Sequence, residues 1–447
     1  MAMKWIVTCR AGRGDTYAPT LVGGDRLLSV PVDVPGDSRA VRSTFWRRLD
    51  EQGLDVPQVA VDLYRAAAAV FAADLRIPRS TGYDGWTRNL ALHLPVSNLA
   101  LWEGVDAPFT ELLRFLSGDY WEVTLREATV ARPAANKRLR RRAVALDSDT
   151  ACLLSGGLDS FIGAADALAA GRSLYLVSHY GGGSGVHASP AQNRVAAALA
   201  DKYGGSSFRH LKVNLDPPKV LTGELEPTTR SRSIVFLTLA AVVASALPAP
   251  ATLLIPENGL ISLNVPLTYS RLGSLSTRTT HPHTLALFQR VLDGLGIRVN
   301  VENPYQFSTK GEMLRNAVDA PLVAELTPET MSCAHPSAGR WQGGGVEHCG
   351  YCVPCIIRRA SEHEAGVIGT TYTYDVRTDT LGREAAKDSR AFRIAVERAT
   401  RGIGLQTVLT SGPLGTDPVK LRAYLDLYSR GIKEVGAFLS STPKAAP

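Results

Sequence analysis

The sequence lacks any apolar run of the roughly 20 residues that a membrane-spanning helix requires. Its longest apolar segment, residues 233–247, is shorter and is typical of a helix buried in a protein core. Residues 1–10 do not show the pattern of a cleaved signal peptide. The chain also contains no visible internal repeat. These absences predict a cytoplasmic protein without attachment to a membrane.

Excess charge is small and local. The 447 residues carry a formal net charge of +7, and much of it falls in one run, KRLRRR, at residues 137–142. Such a run can bind nucleic acid, but it more often forms a solvated linker. Because no recognisable nucleic-acid module accompanies the run, we interpret it as a linker and do not expect a nucleic-acid partner.

Cysteine is scarce and unevenly distributed. Four of the six cysteines lie between residues 333 and 355, and in a cytoplasmic protein such clustering favours metal binding over disulfide bonds. Two successive Cys-x-x-Cys steps precede a predicted helix, which fits a closed tetrahedral zinc site that stabilises the fold. The predicted ligands are Cys333, Cys349, Cys352 and Cys355.

Other interpretations of the cysteines are weaker. The Cys-x-x-Cys steps are also compatible with a redox pair or an iron–sulfur cluster, and either His335 or His348 could replace one cysteine ligand. Cys152 lies beside a glycine-rich turn, and we interpret it as a buried strand residue and not as a catalyst.

A chain of this length can form two or three domains. Its first third mixes strand and helix patterns and predicts an α+β domain, with strands at 26–34 and 89–98 and a helix at 56–75. From about residue 149, strands alternate with helices, which predicts a doubly wound parallel sheet covered on both faces. The predicted divisions are the N-terminal α+β domain at 1–132, a basic linker at 133–148, an α/β domain with the cysteine site at 149–365, and a C-terminal helical extension at 366–447.

Polar and aromatic side chains cluster around a predicted turn of the N-terminal domain. They are Asp74, Arg79, Asp84, Trp86 and Arg88. We favour a capped, salt-bridged corner for this cluster, and a recognition loop is the alternative.

The most specific motif is a glycine-rich turn between a predicted strand and a predicted helix, ACLLSGGLDSFIGA at 151–164. Adjacent glycines let the backbone approach a ligand closely. Free N–H groups at a helix start, with the Ser155 and Ser160 hydroxyls, can hold an anion. Asp159 beside a phosphate requires a bridging cation, so Mg²⁺ is expected. The predicted binding residues are Ser155, Gly156, Gly157, Leu158, Asp159 and Ser160.

The segment LSGGLDS resembles the pyrophosphate-binding loop of the ATP pyrophosphatase (PP-loop) superfamily. The resemblance implies that ATP is used to adenylylate a carboxylate, carbonyl or similar oxygen, with release of pyrophosphate. Two cationic residues fall where the superfamily has phosphate-binding groups, Arg232 in RSRSIVFLTLAA and Lys310 in STKGEML. The resemblance therefore implies catalytic roles for Asp159, Arg232 and Lys310.

The loop combined with RSIVFLTLAA, TKGE and CGYCVPCIIRR resembles the 7-cyano-7-deazaguanine synthase (QueC) family, over roughly residues 149–365. That family activates the carboxylate of 7-carboxy-7-deazaguanine with ATP. Ammonia then gives the amide, and a second activation gives the nitrile. The resemblance implies a PP-loop domain with a zinc knuckle and a 7-deazapurine carboxylate as the small-molecule substrate.

The chain departs from that family at several places. Ordinary members lack a region like 1–132, residues 178–185 replace a D-Y-G-Q-type turn, residues 256–267 replace a substrate-side loop, and glycines expand the stretch between Cys333 and Cys349. We therefore expect the activation chemistry to be retained with a changed acceptor. The added N-terminal region is similar to that of the long QueC-like proteins, of the QatC type, in bacterial antiphage gene clusters.

For that branch, the resemblance implies transfer of a deazaguanine acyl group to a partner protein from the same gene cluster instead of to ammonia. Residues 1–132 would then dock the partner and present its amine. A homodimer is left open. The alternatives to this function are a non-catalytic, nucleotide-binding scaffold of a defence complex and a PP-loop enzyme that modifies tRNA.

Overall fold

The structure is a computed structural model. It describes residues 3–181, 185–227, 230–268, 278–339, 345–378, 381–383 and 385–443. Its strands are β1 (Lys4–Ala11), β2 (Arg26–Val32), β3 (Arg42–Ser43), β4 (Asn89–Val96), β5 (Tyr120–Glu127), β6 (Thr150–Leu153), β7 (Leu174–Tyr180), β8 (Phe208–Asp216), β9 (Ala251–Leu254) and β10 (Val299–Glu302). Its helices are α1 (Phe45–Gln52), α2 (Gln58–Arg76), α3 (Leu99–Ser117), α4 (Lys137–Arg140), α5 (Leu158–Ala169), α6 (Gly185–Tyr203), α7 (Arg232–Ala244), α8 (Gly259–Leu263), α9 (Pro282–Gly294), α10 (Lys310–Arg315), α11 (Ala320–Leu326), α12 (Val353–Ala365), α13 (Lys387–Thr400), α14 (Leu405–Leu409) and α15 (Pro418–Ser440).

The N-terminal unit is a four-stranded sheet in the order β2-β1-β4-β5, and every neighbouring pair of strands is parallel. The sequence predicted strands and helices here, and they are present. Their arrangement is of the α/β type and not the expected α+β type, because all neighbouring strands are parallel and need crossover connections. Helices α2 and α3 lie in two of these connections, and residues 12–25, which contain no helix, join β1 to β2.

The second sheet confirms the expected parallel α/β architecture. Its order is β10-β9-β6-β7-β8-β3, and strands β6 to β10 are all parallel to one another. The short strand β3, from the N-terminal part of the chain, pairs antiparallel with β8 at the edge. Since β6 lies between β7 and β9, the strand order reverses direction beside β6, and such a reversal opens a crevice at the carboxyl ends of the strands.

The two sheets face each other through a double layer of helices. Helix α2 packs against α7, and α3 packs against α9. Helix α2 is buried from Ala60 to Arg76, which suits a helix enclosed on all sides. Apolar side chains of both sheets, such as Val7 and Val177, belong to one contiguous cluster. The two units thus share a core. The domain boundary near residue 132 stays a prediction.

The apolar segment 233–247 forms most of α7, and eleven of that helix's residues are buried in this shared core. Among the residues that the structure describes, no helix is both long and apolar enough to cross a membrane.

The corner around Asp74 is a closed ionic cluster. Arg88 donates hydrogen bonds to both Asp74 and Asp119, at 2.5 Å each, and Arg79 donates to Asp119 at 3.1 Å. All four side chains are at least 95 % buried. Asp84 and Trp86 lie on the outer turn, where Asp84 accepts the Trp86 backbone N–H at 2.9 Å. These contacts make Asp74, Arg79 and Arg88 a salt-bridged corner, and Asp84 and Trp86 belong to the turn outside it.

The basic run lies along the surface of the N-terminal unit. Arg140 donates to Asp55 at 2.6 Å, whereas the other cationic side chains of the run are exposed. The C-terminal segment is helical, as expected. Helix α15 contacts α8, α12, α13 and α14, and it therefore packs on the second sheet's unit instead of extending away from it.

Candidate active site

The glycine-rich turn lies at the point where the strand order reverses. It follows β6 and leads into α5, and the segment 256–258 follows the neighbouring strand β9. A cleft of about 200 Å³ opens between them. Its walls come from the turn, from Glu257, from Lys310 and from Ser332. The cleft is thus at the edge of a doubly wound sheet where ligands are normally bound.

Glycine is required at position 156. Its φ is +85°, in the left-handed region that favours glycine. A Cβ atom there would lie 3.0 Å from the Gln192 backbone nitrogen, so helix α6 leaves no room for a side chain. The Gln192 side chain also donates to the carbonyl oxygens of Ser155 and His179, at 3.3 and 3.2 Å, and joins the turn to β7.

The amides of the turn are held by hydroxyl groups. Gly157 N–H donates to Ser155 Oγ, and Leu158 N–H donates to Ser332 Oγ, both at 3.2 Å. Ser155 N–H donates to Ser160 Oγ at 3.1 Å. Because these amides stand at the positive end of the twelve-residue helix α5, an entering anion can compete with the hydroxyls for them.

Two carboxylates and one ammonium meet beside the turn. Lys310 Nζ lies 2.7 Å from Asp159 Oδ1. The Asn258 side-chain amide donates to Asp159 Oδ2 at 2.6 Å and to Glu257 Oε1 at 3.1 Å, so it bridges the two acids. Asp159 and Lys310 are each 4 % exposed, whereas Glu257 keeps partial exposure to the cleft. The site therefore contains two acidic groups for one basic group.

The pKa values of the two acids are shifted in opposite directions. Burial opposes ionisation of Asp159, but the adjacent Lys310 ammonium and several hydrogen bonds outweigh it and hold the pKa of Asp159 well below its usual range. Restricted access to water, and then the Asp159 charge, raise the pKa of Glu257 well above its usual value. Neighbouring carboxyl groups that divide in this way are frequent at functional sites.

Arg232 lies outside the wall of the cleft that contains Asp159 and Lys310. It begins helix α7, its Nε lies 3.5 Å from His179 Nδ1, and its guanidinium stacks over the Phe236 ring at 5.1 Å. Burial lowers the pKa of Arg232 to about 10. Among the described residues, those that line the cleft include Asp159 and Lys310 but not Arg232.

Three residues of the site were not singled out from the sequence, namely Glu257, Asn258 and Ser332. The first two follow β9, and the alternating pattern of strands and helices does not show that β9 and β6 are neighbours. Ser332 precedes the first cysteine of the cluster. Its chemistry is common, so nothing in the local sequence distinguishes it from other serines.

The four late cysteines form a compact cluster that could hold zinc. Their sulfur atoms all lie within 4.8 Å of one another. The Cys333–Cys352 and Cys349–Cys355 sulfur pairs are 4.0 and 3.9 Å apart, close to the roughly 3.8 Å that tetrahedral zinc–thiolate bonds imply. Backbone amides donate to three of the sulfurs, with Cys349 N 3.2 Å from Cys333 Sγ, Cys352 N 3.4 Å from Cys349 Sγ and Ala334 N 3.5 Å from Cys352 Sγ.

The two nearby histidines do not join the cluster. His348 Nε2 lies 3.0 Å from the Thr330 carbonyl oxygen, and His335 is exposed and stacks on Tyr351. Cys152 is fully buried in β6, and burial raises the pKa of its thiol to about 12. These placements agree with four thiolate ligands and with an inert Cys152.

The cysteine cluster is joined to the glycine-rich turn. Met331 N–H donates to the Gly156 carbonyl oxygen at 2.8 Å, and the next residue supplies the hydroxyl that holds Leu158 N–H. Pro354, between two of the cysteines, also lines the cleft. The cluster is therefore positioned to fix one wall of the site.

The departures noted in the sequence are partly outside the described residues. Positions 182–184 of the turn after β7 and positions 340–344 of the glycine-rich stretch before Cys349 are among those not described. The third departure, residues 256–267, is described. It supplies Glu257 to the cleft and, behind it, the buried Asn258 that bridges the two acids, and it then forms α8.

The chain is similar to several curated proteins, although no protein-family model matches it. It is 33 % identical over 233 residues to the 7-cyano-7-deazaguanine synthase of Synechococcus elongatus, a match that covers 48 % of this chain and 90 % of the relative. It is 29 % identical over 249 residues to the enzyme of the same name from Syntrophobacter fumaroxidans, covering 51 % of this chain and 94 % of the relative. It is also 29 % identical over 240 residues to 7-cyano-7-deazaguanine synthase 1 of Sphingopyxis alaskensis, covering 49 % and 95 %. Nearly the whole of each relative thus corresponds to about half of this chain.

Proposed function

This chain belongs to the 7-cyano-7-deazaguanine synthase family, and from that premise we propose that it is an ATP-dependent carbon–nitrogen ligase. It adenylylates a carboxylate, which is 7-carboxy-7-deazaguanine or a related 7-deazapurine acid, and releases pyrophosphate. The acyl group then passes to an amine. The observation that carries the proposal is the convergence of Asp159, Glu257 and Lys310 beside the amide-lined turn at the start of α5.

In the first step, the phosphates of ATP bind at the amides of Gly157 and Leu158. A carboxylate oxygen of the substrate attacks the α-phosphorus, the bond to the bridging oxygen breaks, and pyrophosphate leaves. The turn donates hydrogen bonds and the α5 helix end supplies a fixed positive potential, and both oppose the negative charge that grows on the leaving group. The remaining requirement is to hold the two reactants in line.

The acids of the site fit a magnesium ion. One or two carboxylates combined with substrate phosphates are the usual protein environment of Mg²⁺, and Asp159 and Glu257 would hold it. When bound, Mg²⁺ neutralises charge on the phosphates. Lys310 Nζ lies 2.7 Å from Asp159 Oδ1. Once the Asp159 carboxylate binds the cation instead, the Lys310 ammonium can turn toward a phosphate oxygen. Arg232 would act on the nucleotide from the neighbouring end of α7.

In the second step, an amine nitrogen attacks the carbonyl carbon of the acyl-adenylate and AMP leaves. The acceptor is ammonia or an amine of a partner protein, and a role in bacterial antiphage defence belongs to this proposal. The chain-specific loop at 256–267 and the additional N-terminal unit support a changed acceptor. Within the N-terminal unit, Tyr83 is 90 % exposed beside the outer turn at 84–87, which makes this tip the part suited to docking a partner.

Deleting the N-terminal unit would not test docking, because that unit and the second sheet share one apolar core. The substitution Tyr83→Ala is a cleaner test. It should leave pyrophosphate chemistry unchanged and weaken transfer to a partner. The cytoplasmic location and a homodimer stay predictions.

Two other functions give different results in the same assays. A non-catalytic scaffold would bind ATP without exchanging pyrophosphate. A tRNA-modifying enzyme would bind RNA with a steep dependence on salt, through the exposed side chains of residues 137–142.

The decisive experiment combines two measurements. Purified protein is incubated with ATP, Mg²⁺ and labelled pyrophosphate, with or without 7-carboxy-7-deazaguanine, and exchange of label into ATP is followed. Mass spectrometry of the same mixtures, with and without the products of neighbouring genes, then identifies the acyl acceptor. Carboxylate-dependent exchange is expected, and its absence with every 7-deazapurine acid tested would contradict the proposal.

A further inference from the structure

Lys310 is carried by a helix too short to be stable alone. Helix α10 has six residues, and isolated helices shorter than about 12 residues are marginal in water. Thr309 caps it in a capping box, in which its hydroxyl accepts Glu312 N–H at 3.1 Å and the Glu312 carboxylate accepts Thr309 N–H at 2.9 Å. The lysine is the first residue after this cap, so its position depends on what holds the cap.

The C-terminal helix α15 holds that cap through Glu434. The Thr309 hydroxyl donates to Glu434 Oε1. Gly311 N–H donates to the same carboxylate, and a Cβ atom on Gly311 would come within 2.8 Å of it. Glu434 therefore receives hydrogen bonds from the residues on both sides of Lys310.

A second residue of α15 holds the neighbouring backbone. Arg430 lies one turn before Glu434 on the same face of the helix. It donates to the Phe307 carbonyl oxygen at 2.9 Å and to the Glu312 carboxylate at 3.2 Å. The two side chains together contact the segment 307–312 before, within and after the cap.

The same helix also packs on the segment that carries the second carboxylate. Gly431 faces Leu260, and a Cβ atom on it would lie 2.8 Å from that side chain. Leu427 approaches Gly259 so closely that a Cβ there would lie 2.3 Å from the leucine. Gly259 directly follows Asn258, the residue that bridges the two acids. Helix α15 thus contacts both segments that supply charged groups from outside the glycine-rich turn.

We propose that Glu434, supported by Arg430, is a positioning residue that holds Lys310 toward Asp159, so that the C-terminal helix is part of the active-site framework. This inference rests on the proposed function in that Lys310 is taken to act on the phosphates. Glu434 acts only as a hydrogen-bond acceptor for Thr309 Oγ1 and Gly311 N. A glutamine at that position offers the same carbonyl oxygen, whereas an alanine offers none.

The test compares Glu434→Ala, Glu434→Gln and the control Lys433→Ala, which changes an exposed neighbour on the same helix. Circular dichroism establishes that each variant is folded. Carboxylate-dependent exchange of pyrophosphate should fall about ten- to a hundredfold in Glu434→Ala, because small displacements of a catalytic group have effects of this size. It should stay within about threefold of wild type in Glu434→Gln and in the control.

A second measurement does not depend on the reaction. An amine-reactive acylating reagent is applied without ATP, and mass spectrometry gives the labelling rate of Lys310 relative to exposed Lys420. The ratio should rise about threefold or more in Glu434→Ala, because a loosened cap exposes the lysine by local opening. Glu434→Gln should leave the ratio unchanged. If Glu434→Ala does not fold, Thr309→Val removes both the donor to Glu434 and the cap on Glu312 N–H, and it should change both results in the same direction, whereas Thr309→Ser, which keeps the hydroxyl, should change neither.

The outcomes separate the two proposals. An unchanged labelling ratio and unchanged exchange in folded Glu434→Ala would overturn the positioning role, and so would a Glu434→Gln variant as impaired as Glu434→Ala. If wild type shows no exchange with any acid tested but the labelling ratio rises in Glu434→Ala alone, the proposed reaction is wrong and the positioning role stands.

Discussion

Two clusters in this molecule each combine acidic and basic side chains, but one is closed and buried and the other opens to a cleft. The cluster in the N-terminal unit pairs Asp74 and Asp119 with Arg79 and Arg88, and all four side chains are almost fully buried. The cluster beside the glycine-rich turn sets two acids, Asp159 and Glu257, against Lys310 and opens to a cleft.

The difference lies in the balance of charge. In the first cluster, burial opposes ionisation of Asp74, but Arg88 outweighs it and holds the pKa of that acid below its usual value. In the second, burial and then the Asp159 charge, which the single Lys310 ammonium does not offset, raise the pKa of Glu257. A balanced, closed cluster is costly to disrupt, because loss of one partner leaves a buried charge uncompensated, whereas an unbalanced cluster at an open cleft is suited to binding a cation or ligand. Whether every acid has its own cationic partner therefore distinguishes the two clusters.

Like the closed ionic cluster, the four-cysteine site is expected to support the fold. Replacing one of its cysteines should therefore have the largest effect on stability. Cys352→Ser should abolish binding of about one zinc per chain and lower the free energy of unfolding by more than about 5 kcal/mol, since structural zinc contributes about 10–16 kcal/mol in isolated fingers. Elemental analysis and thermal denaturation measure the two effects. The control Cys152→Ala should keep its zinc. A zinc-free Cys352→Ser protein that is as stable as wild type would contradict a stabilising role for the cysteine site.

Breaking the balanced cluster should also destabilise the protein strongly. Asp119→Ala leaves Arg79 and Arg88 buried with one acid between them, and we expect a loss of about 3–5 kcal/mol in the free energy of unfolding, measured with urea. The matched control is Glu122→Ala on strand β5, which directly follows Asp119; it removes a partly exposed ion pair with Lys4 and should cost at most about 1 kcal/mol. If both variants lost the same free energy of unfolding, the buried cluster would be no more costly to disrupt than an exposed ion pair, contrary to this prediction.

Breaking the unbalanced cluster should affect chemistry more than stability. In Asp159→Asn the remaining acid, Glu257, can ionise and pair with Lys310, so the fold should be retained. Carboxylate-dependent pyrophosphate exchange should fall by at least about a hundredfold, because charge on the leaving group loses its support. Asp201→Asn, at an exposed acid of α6, is the control. Near-normal exchange in Asp159→Asn would show that this acid has no part in the reaction.

The smallest effect concerns pH and the second acid. Above pH 4.5, the usual pKa of the group, unfolded chains release the Glu257 proton while the folded protein retains it, so this group lowers stability as pH rises, by at most about 1.4 kcal/mol per pH unit. Asp159 has the opposite sign and acts only below its usual pKa of 3.8. Glu257→Gln, studied without Mg²⁺, should therefore flatten the fall in stability above pH 4.5. Exposed Glu302→Gln should leave it unchanged, and a wild-type slope in Glu257→Gln would mean that Glu257 is ionised in the folded protein.

Much of the second sheet's unit could be predicted from the sequence because its signals are local. The glycine-rich turn, the start of α5 and the buried helix α7 appear where short-range patterns indicate them. The α+β prediction for the N-terminal unit was wrong in its strand directions, since alternation within one strand carries no information about its neighbour. Strand β3 was missed because two residues are too few to form a pattern.

What the sequence determined by itself is therefore the chemistry of each segment: a turn that can hold an anion, four cysteines with zinc-like spacing, and an order of strands and helices that permits a parallel sheet. Only the tertiary structure decided which segments meet. It paired β6 with β9 and so set Glu257 beside Asp159, it joined Ser332 to the turn, and it laid α15 against the cap of Lys310. These contacts span between 99 and 174 residues of chain. They depend on strand order and helix packing, which arise from the collective burial of apolar surface and leave no trace in any short stretch of sequence.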